Sequence, residues 1–254
     1  MNNLLLKDKV ALITGGNGGL GLGMARALVR QGCKIIISGR DSDKNRNALT
    51  EIRRASSSSY AFKYDALSKD SVLALVDFTV KTFGKIDILI NNAGITKRSA
   101  EPQLMSDLDW HSVMDTNLTS VHLLTSAVFP FMRHQKQGKI INIGSMFSIF
   151  GSGYSAAYSA SKGAIVQYTK SCAVAWAKYN IQVNAILPGW ISTDMTDSLK
   201  ISDPERYDHI TSRIPAQRWG NSDDVSGAAV YLSSDLSNYV SGAAIPIDGG
   251  YSVY

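Results

Sequence analysis

The chain has 254 residues, of which 44% are hydrophobic and 19% are charged. This composition is typical of a globular protein, and the length suits one large α/β domain or two small ones. The net charge of +5 comes from 26 basic and 21 acidic residues without a Lys/Arg run, which argues against a surface for nucleic acid or membrane.

The N-terminal stretch and the cysteines predict the compartment. Residues 1–10, MNNLLLKDKV, have too short an apolar run, and become charged too early, for a signal peptide. No stretch reaches the ~20 apolar residues that a membrane span needs. Cys33 and Cys172 belong to no C-x-x-C pair and predict no disulfide framework. We therefore expect a soluble protein of a reducing compartment, with the cytoplasm as the default.

Short apolar segments alternate with segments of helical periodicity along the chain. Most of the apolar segments are continuous rather than alternating, which is typical of strands covered on both faces. This βαβα order predicts an α/β fold: a doubly wound, Rossmann-like parallel sheet of about seven strands with helices on both faces. Strands are expected at 9–14, 33–38, 57–65, 86–93, 138–145, 181–187 and 242–248.

Three of the intervening segments have clear helical spacing, at 70–84, 155–179 and 223–234. The polar stretch 53–59, RRASSSS, indicates a loop between a helix and a strand rather than a linker between domains. Residues 1–254 are therefore expected to form a single domain.

Six glycines fall within nine positions, 15–23, between the first predicted strand and the first predicted helix. Glycine permits positive φ and close backbone approach, and a helix N-terminus offers unpaired N–H groups to a pyrophosphate. Two spacings fit: G-x-G-x-x-G from Gly16 to Gly21, or Thr14-Gly15-x-x-x-Gly19-x-Gly21. A plain flexible loop is the alternative, but the position between strand and helix favours dinucleotide binding.

The end of the second predicted strand bears on the choice of dinucleotide. An acidic residue there binds the ribose 2′-hydroxyl, whereas an arginine accommodates a 2′-phosphate. Arg40 occupies this position, Asp41 follows it, and Lys44 is close in sequence. The planar guanidinium suits phosphate, so NADP(H) is preferred. NAD(H) is the alternative if Asp41 reaches the ribose, and Arg40 would then be a solvated charge that stacks on adenine.

Tyr158 and Lys162 lie four residues apart in the predicted helix 155–179, which places both side chains on one face. A free tyrosine has a pKa of about 10, too high for a base at neutral pH. A nearby ammonium and an oxidised nicotinamide would stabilise the phenolate, and a pKa lowered by about two to three units corresponds to roughly 3–4 kcal/mol. Tyr158 would then exchange a proton with a carbonyl or an alcohol. Chance spacing on a helix is the alternative.

Six motifs in order make the chain resemble a short-chain dehydrogenase/reductase over essentially its whole length. They are Thr14-Gly15-x-x-x-Gly19-x-Gly21, NNAG at 91–94, Asn117, Ser145, Tyr158-x-x-x-Lys162 and Pro188-Gly189. The resemblance favours the glycine spacing that uses Gly15, Gly19 and Gly21.

The resemblance implies catalytic roles for four residues. Tyr158 would be the general acid/base, and Lys162 would lower its pKa and hold the nicotinamide ribose. Ser145 would orient the substrate oxygen, and Asn117 would position a water beside Lys162. Ser145 as a hydrolase nucleophile is excluded, because the chain has no G-x-S-x-G elbow and no histidine in a triad order.

The resemblance also implies a cofactor surface. Asp65 would hold the adenine amino group and Thr193 the carboxamide, while Asn91, Ala93 and Gly94 have the alternative role of stabilising the end of the fourth strand. The full set is Gly15, Asn17, Gly19, Leu20, Gly21, Arg40, Asp65, Ala66, Asn91, Ala93, Gly94, Tyr158, Lys162, Pro188, Gly189, Ile191 and Thr193.

Residues 190–215 resemble the family's substrate lid. A sugar acid would need a cation near its carboxylate, and the candidates are Lys97, Arg98 and Arg213, whose placement the sequence leaves open. The residues expected to contact substrate are Ser145, Met146, Phe147, Tyr154, Tyr158, Trp190 and Met195.

The implied activity is an NADP(H)-dependent interconversion of a secondary alcohol and a ketone by hydride transfer. Both ends of the chain resemble the subgroup acting on keto-sugar acids, and the alternatives are a 3-oxoacyl-carrier-protein reductase or a general carbonyl reductase. A non-enzymatic dinucleotide sensor or scaffold is disfavoured because Tyr158 and Lys162 are both present.

The expected partners follow from the same comparison. The resemblance implies a homotetramer, which would cover the apolar C-terminal stretch. The four histidines have no metal-ligand spacing, so no metal is expected. Neither nucleic acid nor a membrane is an expected partner.

Overall fold

The computed structural model describes residues 5–193 and 196–254. Within them, seven parallel strands form one sheet in the order β3-β2-β1-β4-β5-β6-β7. The predicted parallel fold and all seven predicted strands are confirmed, with most strands shorter than predicted. The strands are β1 Val10–Thr14, β2 Lys34–Gly39, β3 Ser59–Lys63, β4 Ile88–Asn91, β5 Gly138–Ile143, β6 Ile181–Pro188 and β7 Ala244–Ile247.

Helices cover both faces of the sheet. One face packs against α1, α2 and α9, and the opposite face packs against α3, α5 and α6. Of the helices described, none has both the length and the apolar character required to cross a bilayer. The helices are α1 Gly19–Arg30, α2 Ser42–Arg53, α3 Lys69–Phe83, α4 Asp107–Met114, α5 Ser120–Gln135, α6 Ala156–Trp176, α7 Asp197–Ser202, α8 Pro204–Ser212 and α9 Ser222–Ser233.

The continuous apolar strands are explained by this double cover. In β1, Ala11 and Ile13 point into the core beneath α1 and α9, while Leu12 between them points into the core beneath α3 and α5. All three side chains are completely buried. Successive residues of β1 therefore face opposite cores, which explains the continuous apolar run of this strand.

The order of the strands changes direction beside β1, because β2 lies on one side of it and β4 on the other. The connections from these two neighbours run to opposite sides, which leaves a crevice outside the carboxyl ends of β1 and β4. Ligands of open α/β sheets bind at such a switch point. The glycine-rich turn after β1 lies at this crevice.

Two glycines allow the turn to approach α1 closely. Gly15 has φ +62, and a Cβ added to Gly21 would overlap the carbonyl oxygen of Gly15. The Asn92 amide Nδ2 completes this contact by donating to the carbonyl oxygens of Thr14 at 3.0 Å and Gly15 at 3.1 Å. The first helix therefore begins directly against the loop that follows β4.

The predicted lid region carries two short helices that the sequence did not predict. Both α7 and α8 lie within residues 190–215, and Ile191 forms an isolated parallel bridge with Gly220. A small apolar cluster holds this region against the residues after β5 and near the C-terminus. Its buried members are Met146, Ile210, Ile214, Trp219 and Tyr251.

Gly21→Ala is expected to lower the free energy of unfolding by about 1–3 kcal/mol, because the new methyl group overlaps backbone atoms that cannot easily move. Urea unfolding measures the change. Gly18→Ala is the matched control in the same turn, since its Cβ would meet no atom within 4 Å and its φ is −174. Equal stability of the two variants would contradict the close packing of α1.

Candidate active site

Three polar side chains meet near the carboxyl end of β5. Ser145 follows that strand, while Tyr158 and Lys162 lie one turn apart on α6. The Lys162 Nζ atom lies 5.6 Å from the centroid of the Tyr158 ring. The Ser145 hydroxyl hydrogen-bonds the phenol of Tyr158. The structure therefore brings together the serine, tyrosine and lysine that the sequence singles out.

The protein surroundings of these groups change their pKa values. Burial raises the pKa of the Tyr158 phenol, and the hydrogen bond from Ser145 acts in the opposite direction. Burial lowers the pKa of Lys162 to about 8. The protein's own groups therefore shift the Tyr158 pKa upward, opposite to the expected lowering by Lys162. The physical reason is that burial removes water from the phenolate, and this loss of hydration outweighs the hydrogen bond from Ser145.

The Lys162 ammonium has a fixed backbone partner. Its Nζ donates to the carbonyl oxygen of Ile143, the last residue of β5, at 2.7 Å. Ser148 holds the backbone of Lys162, because its hydroxyl donates to the Lys162 carbonyl oxygen at 2.7 Å. The same hydroxyl accepts the Ser145 N–H at 3.2 Å. Sequence reasoning missed Ser148, although its place three residues after a capping serine is a recognisable capping-box signal.

Asn117 lies in a π-helical turn, Asp115–Thr119, which separates α4 from α5. Such turns frequently occur at functional sites. Its side chain is buried and bonds the backbone of Ile95 twice, with Oδ1 accepting the N–H at 2.8 Å and Nδ2 donating to the carbonyl at 2.9 Å. Nδ2 also donates to the Ser161 hydroxyl at 3.1 Å. Asn117 therefore joins the loop after β4 to α6, and its predicted contact with a water stays a prediction.

The loop after β4 is held against both the glycine-rich turn and Lys162. Thr14, the last residue of β1, accepts the N–H groups of Asn92 and Ala93, each at 3.0 Å, through its hydroxyl. A Cβ added to Gly94 would lie 3.2 Å from the Asn117 Oδ1 and 3.5 Å from the Lys162 Nζ. Gly94 therefore lets this loop lie directly over the lysine.

Most of the predicted cofactor residues lie around the crevice. Gly15, Asn17, Gly19, Leu20 and Gly21 form the turn and the start of α1. A Cβ added to Gly19 would lie 3.6 Å from the Thr193 side chain, so this turn faces the segment after β6. That segment contributes Pro188 at the strand end, Gly189 against Asp248, and Ile191, which is buried in the core.

The residues predicted to lie along the adenosine have different surroundings. The Asn91 side chain is buried and donates to Thr125 at 3.0 Å and Asn142 at 2.8 Å, which supports its alternative structural role. Asp65 is exposed and accepts the Leu67 N–H at 3.0 Å. Ala66 packs partly against the α3 core.

Arg40, which is expected to accommodate a 2′-phosphate, lines a cavity of about 320 Å³. Its lining is Arg40, Lys63, Tyr64, Asp65 and Ser71. Asp41 instead caps α2, where its carboxylate accepts the N–H groups of Asp43 at 2.9 Å and Lys44 at 3.0 Å. These hydrogen bonds lower the pKa of Asp41, and its carboxylate is therefore engaged in capping α2. Sequence reasoning did not single out Lys63. The feature that could have indicated it is a basic residue near the end of the predicted strand 57–65.

Aromatic rings form one wall beside Tyr158. The Phe147 ring lies edge-on to Tyr158 and to Trp190, with centroids 6.2 Å apart in both cases. Trp190 contacts Trp219, which stacks on Tyr207 of α8 with centroids 4.8 Å apart. Of the other predicted substrate residues, Met146 is buried in this cluster, and Met195 lies outside the described residues.

The three candidate cations for a carboxylate have different surroundings. Lys97 is paired with Asp109 at 3.2 Å. The Arg213 guanidinium lies 4.9 Å from the centroid of the Tyr251 ring, and that of Arg98 lies 5.8 Å from the Tyr154 ring. In the described part of the chain, no group of three or more His, Cys, Asp or Glu side chains is arranged to hold a metal ion.

The switch-point crevice and the Ser145, Tyr158 and Lys162 group define an α/β oxidoreductase of the dinucleotide-binding type. The family model described as enoyl-(acyl carrier protein) reductase matches residues 15–252. The chain belongs to the short-chain dehydrogenase/reductase family.

Relatives of named activity align with nearly the whole chain. The 2-dehydro-3-deoxy-D-gluconate 5-dehydrogenase of Formosa agariphila is 40% identical over 247 residues, which are 96% of this chain and 93% of that protein. The gluconate 5-dehydrogenase of Gluconobacter oxydans is 37% identical, covering 96% of this chain and 94% of that protein. A solved gluconate 5-dehydrogenase from Burkholderia cenocepacia, in complex with NADP and tartrate, is 35% identical with a TM-score of 0.94 and covers 100% of this chain and 98% of that chain.

The pKa of Lys162 leads to a pH dependence. Ketone reduction needs a protonated phenol, and burial raises the pKa of Tyr158, so this acid form persists through the neutral range. Lys162 is a cation below a pH of about 8 and neutral above it. We therefore expect kcat/KM for NADPH, which reports ionisations of the free protein, to be level below this pH and to fall above it.

Steady-state rates across the pH range test this profile. Lys162→Arg keeps its charge at all these pH values, so its profile should stay level even if its overall rate is lower. A wild-type profile that is level through alkaline pH, or a fall that persists unchanged in Lys162→Arg, would contradict the assignment.

Proposed function

We propose that this protein is an NADP(H)-dependent oxidoreductase that interconverts a secondary alcohol and a ketone on a keto-sugar acid. The observation that carries the proposal is the convergence of Ser145, Tyr158 and Lys162 at the carboxyl edge of the sheet. In reduction, bound NADPH supplies the hydride. The chain's own residues supply the proton, hold the substrate oxygen and orient the cofactor.

Tyr158 and Ser145 act on the same substrate oxygen. The raised pKa of Tyr158 keeps its phenol protonated, so the phenol donates its proton to the carbonyl oxygen as that oxygen becomes negative. The Ser145 hydroxyl, which already hydrogen-bonds the phenol, orients this oxygen. In alcohol oxidation the proton moves the other way, and the positive charge of oxidised nicotinamide favours the phenolate that must accept it.

Lys162 links this proton transfer to cofactor binding. An ammonium has three N–H donors, and the Ile143 carbonyl oxygen accepts one of them. The remaining donors suit the hydroxyls of the nicotinamide ribose. Gly94 permits this contact because it places no side chain between the lysine and the crevice.

Positively charged side chains in the loop after β4 support an acidic substrate. Lys97 pairs with Asp109, whereas Arg98 forms no ion pair with any described residue. A guanidinium binds carboxylate in a fixed, bidentate geometry. The named activities of the relatives, on gluconate and 2-dehydro-3-deoxy-D-gluconate, support oxidation of the C5 hydroxyl of a six-carbon sugar acid.

The substrate proposal is tested by NADPH consumption with 5-keto-D-gluconate, a 3-oxoacyl thioester and an aryl ketone. We expect at least tenfold higher kcat/KM for the sugar acid. Tyr158→Phe should reduce kcat by about 10²–10⁴-fold while the Kd for NADPH stays nearly unchanged, because only the proton donor is lost.

Tyr168→Phe on the same helix is the matched control, since its hydroxyl contacts His122 at 3.3 Å rather than the catalytic group. Preferential turnover of the thioester would favour the 3-oxoacyl reductase alternative suggested by the matching family description. NADPH binding without turnover of any compound would favour the sensor or scaffold.

The preference for NADP(H) follows from the charges near the end of β2. Arg40 and Lys63 line one cavity, while the Asp41 carboxylate is committed to the N-terminus of α2. A 2′-phosphate would therefore meet two cations, while the carboxylate of Asp65, which lines the same cavity, accepts the Leu67 N–H. A bound oxidised or reduced NAD would make neither of these phosphate contacts.

Arg40→Gln is expected to weaken NADPH binding by about 10–100-fold, which corresponds to the loss of one charged hydrogen bond, and to change NADH binding little. Fluorescence titration with both cofactors measures this. Arg46→Gln is the control, because Arg46 lies nearby on α2 but pairs with Asp43 at 3.0 Å. Equal weakening for both cofactors, or tighter wild-type binding of NADH, would overturn the preference.

The proposed assembly is a homotetramer in the cytoplasm. Val174, Tyr239 and Val253 are among the large apolar side chains that are strongly exposed on one chain, and association would cover such surface. Both cysteines are free and buried, as suits a reducing compartment. Sedimentation equilibrium decides the number of subunits, and a monomer would refute the tetramer.

A further inference from the structure

Tyr154 lies beside two arginines that come from distant parts of the chain. The Arg206 guanidinium is 4.7 Å from the centroid of the Tyr154 ring, and the Arg98 guanidinium is 5.8 Å from it. Arg98 lies in the loop after β4, whereas Arg206 lies on α8 of the predicted lid. One positive charge from the lid and one from the loop after β4 therefore lie beside the same tyrosine ring.

Neither arginine has its charge balanced by a carboxylate among the residues described. In the described part of the chain, neither Arg98 nor Arg206 takes part in an ion pair. Asp203, three residues before Arg206, uses its carboxylate to accept the Arg206 backbone N–H at 3.1 Å and so caps α8. Two like charges held beside one ring repel each other, and a bound anion would relieve this repulsion.

Polar groups beside Tyr154 also lack partners. The Ser99 N–H donates to the Tyr154 carbonyl oxygen at 3.1 Å, which fixes Ser99 next to this tyrosine. The hydroxyl oxygens of Ser99 and Ser152 are buried and have no hydrogen-bond partner. Unpaired buried hydroxyls are costly, and a polyhydroxylated ligand offers them partners.

The helix that carries Arg206 is connected to the catalytic tyrosine by ring contacts. Tyr207 stacks on Trp219, and Trp219 contacts Trp190 with centroids 5.2 Å apart. Phe147 then contacts both Trp190 and Tyr158. The position of α8, and hence of Arg206, therefore depends on the same aromatic wall that borders the reacting group.

We propose that Arg206 determines specificity by joining Arg98 in holding the carboxylate of the sugar acid beside Tyr154. The inference rests on the proposed function, because it takes its anionic substrate from there. Arg206 of the lid then binds the substrate directly. The helix α8 is therefore held firmly over the site only when the substrate carries a negative charge. A neutral ketose leaves the two guanidinium groups repelling each other and gains nothing from Arg206.

The experiment compares two ketones that differ only at one end. 5-Keto-D-gluconate carries a carboxylate where L-sorbose carries a hydroxymethyl group. Arg206→Gln is expected to lower kcat/KM for 5-keto-D-gluconate at least tenfold, mainly through KM, while kcat/KM for L-sorbose and the Kd for NADPH stay within about twofold. Arg206→Lys should retain part of the preference, because it keeps the charge but not the bidentate geometry.

Lys200→Gln is the matched control, since Lys200 is a lid cation that lies 5.6 Å from the Tyr207 ring instead of Tyr154. It should leave both substrates unaffected. An equal loss on both ketones in Arg206→Gln would assign the arginine a purely structural role, and an unchanged preference would also overturn the proposal. A wild-type protein that binds NADPH but reduces no sugar acid would instead refute the proposed function, and this inference with it.

Discussion

The Lys162 ammonium is buried at the end of β5, where the carbonyl oxygen of Ile143 accepts one of its hydrogens. Removing an ammonium from water costs several kcal/mol, and the lowered pKa of Lys162, about 8, expresses this cost. The bond also fixes α6 against β5, so it sets where Tyr158 stands relative to Ser145. A substitution that breaks this bond would therefore disturb the charge beside Tyr158 and the placement of Tyr158 together.

A second buried lysine shows how the same strand is held at its other end. Lys139, near the start of β5, donates to Ser237 at 3.2 Å and Asn238 at 2.8 Å, and burial lowers its pKa to about 8. In both lysines the ammonium group has lost water on burial, which disfavours its charged form. Only Lys162 lies beside a titratable phenol, so only there does the loss of a proton bear on the chemistry.

The sheet was predictable because its inner strands are covered on both faces, which leaves a continuous apolar run in the sequence. The helical spacing of Tyr158 and Lys162 likewise predicts a shared face. The short helices α7 and α8 were not predictable, because six to nine residues show little periodicity and their support comes from distant residues such as Trp219. The direction of the Tyr158 pKa was also beyond the sequence, since dehydration depends on what surrounds the phenol in three dimensions. Arg206 reaches Tyr154 only through the fold.

The central position of β1 has a consequence for synthesis of the chain. Ala11 pairs with Ile35 on one side and with Ile88 on the other, so one edge of β1 finds its partner only after some seventy further residues have been made. Until then a largely apolar strand in a growing chain has backbone hydrogen-bonding groups without a partner strand on one side. Such an open edge can pair with another nascent chain, so the ribosome-bound N-terminal portion is the form of this protein most exposed to aggregation.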